Sequence, residues 1–260
     1  MHEAVSCQSH ATDDKYTALF KDRPQDIMGR HVRLEALEEE RHLDKLFALT
    51  SGEADTETHA YDPQEIWGFS PEGPFENKDE MRNSFVFQRK INESAFAIIN
   101  NVTDRVIGAV ILTDDNPQNL GIQLEAPIMR HSWDDTAEQQ EACFLLMDRL
   151  FAIGYRRIQM SVDAQDGPSR QLALRLGFTL EGTLFKHMIV KDASRDSTVY
   201  GILNSDWDRG ARFALFKKLH GQAAAHSDHS NRKKEEETDE QNRVLAEQKA
   251  EEEAAKKKKI

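Results

Sequence analysis

Cysteine is nearly absent from this chain. Only Cys7 and Cys143 occur in 260 residues, too few and too far apart for a disulfide framework or a close metal-ligand pair. Cys143 falls in an apolar run of helical spacing and reads as a small core residue. No apolar stretch approaches the roughly 20 residues of a membrane span. The N-terminus lacks the basic-then-apolar order of a secretory signal, so a soluble, reducing compartment is expected, most simply the cytoplasm. Basic excess is also missing, with 34 Lys and Arg against 46 Asp and Glu and a net charge of −12. Nucleic acid is therefore not an expected partner of the folded part, since phosphate contacts need clustered cations. The acidic sign suits an amine or a basic peptide terminus better. Glycine-rich phosphate loops and a nucleophile elbow are absent from the sequence. His10, His220, His226 and His229 lack metal-ligand spacing, so no metal is expected.

Aromatics stop before Gln222, and from there the chain is almost wholly Glu, Lys, Ala, Gln and Asp. Such a segment buries too little apolar surface to offset its conformational entropy. It reads as a solvated, partly helical tail over 222–260, with a partner that the sequence does not reveal. Residues 1–28 read as a flexible arm, with a short helix around 16–20. That leaves one domain over 29–221, an ordinary size for a single core.

Within the domain, 31–37 alternates as a half-buried strand, and 38–50 carries apolar residues at helical spacing. Residues 51–78 form a long loop rich in Gly, Pro and acids, bearing Trp67, Phe69 and Phe75. Long loops of this kind are binding elements or are pinned to the core by their aromatics, and both readings stay open. A helix is expected over 79–91, a strand hairpin over 95–100 and 105–113, and a further strand over 120–129. The longest helix runs over 136–153, stopped by Gly154. Residues 183–190 and 198–203 read as a second hairpin around 191–196, and a last helix runs from near Ser205 to Gly221.

The most informative stretch is 157–182. The strand carrying Ile158, Met160 and Val162 runs into Asp166-Gly-Pro-Ser169, where Asp166 can cap a helix and Pro168 fits its first turn. That helix stops at Gly177, and Phe178 opens a second apolar run. The pattern Asp166-x-x-Ser169, six residues, then Leu176-Gly177-Phe178-x-x-Glu181-Gly182 resembles the Gcn5-related N-acetyltransferases. The branch it resembles is that of the bacterial ribosomal-protein N-terminal acetyltransferases, which have Asn where Asp166 stands. Further matches are Gly29 to Leu34, Gly73-Pro-Phe75, Gly154-Tyr-Arg-Arg157 and Arg195-Asp196, so the resemblance covers about 29–219.

The resemblance implies an α/β (α+β) fold with a mixed, mostly antiparallel sheet of about seven strands flanked by helices. It implies acetyl-CoA as cosubstrate and transfer of its acetyl group to a primary amine, either a protein N-terminus or a small molecule. The pyrophosphate would lie on the helix start at Thr136 and Ala137, where N–H groups and the helix dipole favour anions. Backbone groups of Pro127, Ile128 and Met129 would meet the pantetheine arm, with Asp166 and Ser169 also at the cofactor. Ser169 would protonate the leaving thiolate, because Ala173 stands where many relatives place Tyr. The base position of relatives aligns with Gln123, so Glu125, two residues on and on the same face, is the local substitute. Trp67, Phe75 and Gln123 would face the acceptor.

Asp134 and Asp135 depart from the family at the phosphate loop. If Asp135 caps the helix, it occupies N–H groups that a phosphate needs. Two like charges about 4 Å apart at an effective dielectric of about 20 repel by about 4 kcal/mol. Two functions therefore stand side by side: an N-acetyltransferase, or a binding or regulatory module that keeps the scaffold with a degenerate acetyl-CoA site.

Overall fold

The computed structural model describes residues 26–53 and 60–221. The expected helix around 16–20 and the tail over 222–260 lie outside the described residues. The chain divides into two units, Met1–Leu215 and Phe216–Ile260. In the second, Phe216 and His220 place their rings 4.5 Å apart on one helical turn. Every described strand belongs to the first unit.

Its centre is a sheet of nine described strands: β1 (Ile27–Met28), β2 (Val32–Ala36), β3 (Ser94–Asn100), β4 (Val106–Asn116), β5 (Gly121–Leu124), β6 (Ile128–Met129), β7 (Arg157–Asp163), β8 (Thr179–Val190) and β9 (Ala193–Leu203). The order is β1-β2-β3-β4-β5-β7-β9-β8, with β6 beside β4. Every pairing is antiparallel except β5 with β7. This is the mixed sheet expected, with two more strands. One is β1, whose Ile27 and Met28 pair with Leu34 and Arg33 in a segment read as flexible arm. The other arises because 120–129 is not one strand. Leu112 pairs with Leu124 and Ala109 with Ile128, so the second strand carries one extra residue between the two pairs. That bulge holds Glu125, Ala126 and Pro127, and Pro127 has no N–H for a ladder.

Helix α1 (Glu39–Thr50) begins with Glu39 and Glu40, favourable at the positive end of the helix dipole. It crosses β4 where the sheet presents Ala95, Ala97 and Ala109, small enough to let Leu43 and Leu46 reach the strands. Short helices α2 (Gln64–Trp67) and α3 (Lys78–Arg82) close this cluster with Trp67, Met81 and Val86, none more than 1% exposed. The helix expected over 79–91 ends at Arg82. The Ser84 hydroxyl donates to the Met81 carbonyl at 2.7 Å and accepts from the Val86 N–H at 3.2 Å, replacing helical bonds by local ones. The break lets both Met81 and Val86 enter the core.

Helix α4 (Ala137–Ala152) buries Ala142, Cys143, Leu146, Met147 and Leu150. Gly154, at φ 108°, ends it as the sequence suggests. Glu141 within it is fully buried, and its carboxylate accepts the N–H groups of Arg30, His31 and Val32 at 3.0, 2.6 and 2.9 Å. It thereby ties the β1–β2 turn to the helix. Helix α5 (Gly167–Arg175) starts with Asp166 accepting the Ser169 N–H at 3.0 Å, the cap read from the sequence. The last hairpin turns in two residues, Lys191 and Asp192, both at positive φ, a primed turn that extends β8 and β9 beyond the range expected. No described helix is long and apolar enough to cross a membrane.

Candidate active site

The parallel ladder between β5 and β7 has three rungs, Gly121 with Arg157, Ile122 with Ile158 and Gln123 with Gln159. Beyond Gln123 the two strands part. The bulge carries the chain back to β4 as β6, while β7 continues through Asp163 paired only with β9. A wedge opens between them, and among the described residues no backbone ladder joins the two strands beyond Gln123.

One face of the sheet beside this wedge is polar. The polar–apolar alternation of β7 puts Arg157, Gln159, Ser161 and Asp163 on it, and buries Ile158, Met160 and Val162 on the other. A hydrogen-bonded row crosses three strands on the polar face. The Thr113 hydroxyl donates to Glu125 Oε1 at 2.7 Å, and Gln123 Nε2 donates to the same oxygen at 2.6 Å. Gln159 Nε2 donates to Gln123 Oε1 at 3.3 Å, and Arg157 donates to Gln159 Oε1 at 2.9 Å. Arg157 then forms a two-pronged ion pair with Glu181, at 2.5 and 2.6 Å. This pair lies over Gly201, where any Cβ would collide with it. The row fixes the orientation of each amide, and so of the carboxylate at its end.

That carboxylate, Glu125, sits on the bulge with its N–H bonded to the Ile111 carbonyl at 2.9 Å. Burial pushes its pKa above the usual carboxyl range, opposed by the donors Gln123 and Thr113 and by the nearby Arg195 charge. Among the described residues its Oε2 accepts no hydrogen bond. A half-buried carboxylate with one open oxygen and a raised pKa beside a gap in the sheet is suited to take a proton.

The start of α4 differs from the expectation. Asp135 is not the cap: the Thr136 hydroxyl accepts the Gln139 N–H at 3.3 Å. Asp135 sits at φ 61° one residue earlier, where its carboxylate meets Gln140 Nε2 at 3.0 Å and Arg175 at 3.1 Å. Asp134 binds His131 at 2.6 Å and Gln139 Nε2 at 3.0 Å. Both acids are thus turned onto donors in the loop, on α4 and on α5. The N–H groups of Ala137 and Glu138 have no partner among the described residues. The helix start therefore keeps donors for an anion, and the residues present fit a pyrophosphate. Pro127, Ile128, Met129, Thr136 and Ala137 all lie on the chain that leads from the bulge into α4. Asp166 and Ser169 lie where β7 hands over to α5, beyond the open end of the wedge.

Two expected acceptor residues belong elsewhere. The Trp67 ring is 1% exposed, lies edge-on to Phe75 with centroids 4.9 Å apart, and donates to the Thr50 carbonyl at 3.2 Å. Phe75 packs against the same core cluster. The rings of Trp67 and Phe75 pin the loop, whereas Phe69 is 43% exposed; the Trp67 carbonyl accepts the Lys191 ammonium at 2.7 Å. Gln123, the third, stands in the polar row. Unforeseen in the sequence were Thr113 and Gln159 as members of that row and Glu141 as a clamp. The alternation Arg157-x-Gln159-x-Ser161-x-Asp163 was the visible signal for Gln159; the roles of Thr113 and Glu141 depend on partners distant in the chain.

No protein-family model matches the sequence, and no curated protein does. Solved structures do match. A GCN5-related N-acetyltransferase from Brucella melitensis is 28% identical, with 76% of this chain and 87% of that one covered at a TM-score of 0.68. A probable GNAT-family acetyltransferase from Chromobacterium violaceum is 26% identical, covering 72% and 91% at a TM-score of 0.63. The fold is the GNAT fold. A spermidine N-acetyltransferase from Vibrio cholerae, in complex with CoA and spermine, shares that GNAT architecture at 19% identity and a TM-score of 0.53, over 68% and 98% of the two chains.

Proposed function

We propose that this chain is an acetyl-CoA-dependent N-acetyltransferase acting on a primary amine, of the kind found in the ribosomal-protein N-terminal branch. The observation that carries the reading is Glu125: a half-buried carboxylate on a bulge beside the parting strands, held by Thr113 and Gln123, with Oε2 open. The Leu176-Gly-Phe178 and Glu181-Gly182 elements support it. So does the start of α4, whose N–H donors survive the two added acids.

When bound, acetyl-CoA supplies the acetyl group as an activated thioester. The chain's part is positional and acid–base. Ala137 and Glu138 offer backbone donors to the pyrophosphate, and Thr136 keeps the helix start intact. Pro127, Ile128 and Met129 supply the backbone along the opened strand. Glu125 takes a proton from the acceptor ammonium at Oε2, and its raised pKa lets it act closer to neutral pH than an ordinary carboxylate. The Ser169 hydroxyl, on the first turn of α5, is the donor assigned to the departing thiolate. The identity of the acceptor does not follow from the Vibrio cholerae enzyme, since that likeness is one of fold.

The test is acetyl transfer to a panel of peptides and small amines, followed by thiol release, with the wild type and Glu125→Gln compared. Turnover by the wild type that collapses in the variant supports the reading. Acetyl-CoA binding without turnover on any amine would favour a regulatory module on the same scaffold.

A further inference from the structure

A cleft of about 550 Å³ lies where the α2 turn (Gly68, Phe69), the end of β7 and the β8–β9 hairpin meet. Asp163 and Arg195 put it on the polar face of β7, and the Arg195 charge acts on Glu125. Its charged lining is Asp163, Asp196, Lys186, Lys191 and Arg195. The two acids are engaged by the fold itself. Asp196 accepts the Lys186 backbone N–H at 2.6 Å, which holds the irregular turn at φ 49° in β8. Asp163 accepts the Gln165 N–H at 2.8 Å and stands 3.7 Å from Arg195 Nε.

The cations are held differently. Lys191 is tied to a neutral carbonyl, that of Trp67. Lys186 has no carboxylate within ion-pair distance among the described residues, and its side chain is exposed. Arg195 is 12% exposed, makes one long bond to the Ser161 carbonyl at 3.4 Å, and its buried Nε has no hydrogen-bond partner. A buried donor left unmade is costly, and a ligand that supplies the missing acceptor recovers that cost. The cleft therefore carries a surplus of positive charge within a chain whose net charge is −12.

We propose that the acceptor carries a carboxylate in the same molecule as its amine: the amine meets Glu125 while Arg195 and Lys186 take the carboxylate. A polyamine, with cations at both ends, is disfavoured by the same residues. The proposal rests on the acetyltransferase reading, and its test separates the two. Amino-carboxylates of three to six carbons are compared with the n-alkylamine and the α,ω-diamine of equal length, using the full chain and acetyl-CoA. The expected result is at least a tenfold preference in kcat/KM for the best carboxylate over its alkylamine, with the diamine lowest. Lys186→Gln, at an exposed position, should cut that preference at least threefold through KM, and Lys186→Arg should restore it. Equal rates, or a preference for the diamine, overturn the proposal while leaving the enzyme reading intact. If no amine is acetylated, calorimetric titration of the same three series into the full chain decides: tighter binding of the carboxylates sustains the proposal without the enzyme reading, and equal or absent binding overturns it.

Discussion

At the start of α4, Asp134 and Asp135 lie among His131, Gln139, Gln140 and Arg175; in the cleft, Asp163 and Asp196 lie among Gln165, Lys186 and Arg195. Each place holds two carboxylates that look alike in the sequence. At α4 they are drawn aside by amides, an imidazole and a guanidinium, and the helix N–H groups stay available. In the cleft each acid accepts a backbone N–H, only Asp163 also stands near a cation, Arg195, and three cations face two acids. The charge written in a sequence is thus not the charge a ligand meets; partners decide, and partners come from distant parts of the chain.

The largest expected effect concerns Glu125, which lies between these two places. Glu125→Gln should lower kcat by about 10²- to 10⁴-fold, the usual worth of a positioned base, while the protein stays folded. Folding raises this carboxyl's pKa, so its protonated form is favoured in the native state and ionisation costs stability as pH rises through the folded value. The variant should therefore gain in thermal midpoint over the wild type at pH 8 and lose that advantage at pH 4. A midpoint difference independent of pH would show the carboxylate to be solvated. The acid limb of the wild-type kcat/KM profile should likewise fall above the ordinary carboxyl range.

Glu141→Ala strips an acceptor from the N–H groups of Arg30, His31 and Val32 and should cost about 3 kcal/mol or more in denaturant unfolding, since each unsatisfied buried group costs about 1–3 kcal/mol. Thr136→Ala removes the true cap and should cost about 1 kcal/mol by the same measurement. Smallest is Asp135→Asn. With Gln140 and Arg175 already holding the carboxylate, acetyl-CoA affinity measured by calorimetry should change by less than about threefold, because a half-exposed paired charge contributes little. A gain of a hundredfold would mean that the acid opposes the phosphate after all and that its partners do not draw it aside.

Much of the fold is legible in the residues themselves. The cap at Asp166, the stops at Gly154 and Gly177, and the alternation of β2, β3 and β7 are local signals, and local signals survive folding. The apolar spacing of 79–91 predicts one helix, whereas in the molecule Ser84 diverts two backbone bonds and ends it at Arg82. The bulge at Glu125 was hidden because it exists only against the register of β4. Trp67 shows the same limit: an aromatic in a long loop reads equally as a contact surface or a core anchor until the packing of Phe75 and Gly73 against its ring decides. At the candidate site, a local motif singles out Asp166 and Ser169, whereas Thr113 and Gln159 join the polar row only through partners on other strands.

Calorimetric titration of acetyl-CoA into the full chain and into Glu125→Gln separates cofactor binding at the helix start from the use of Glu125 on the acceptor. Micromolar binding, equal in both, is the predicted result. No heat from either folded protein at millimolar acetyl-CoA would contradict the account.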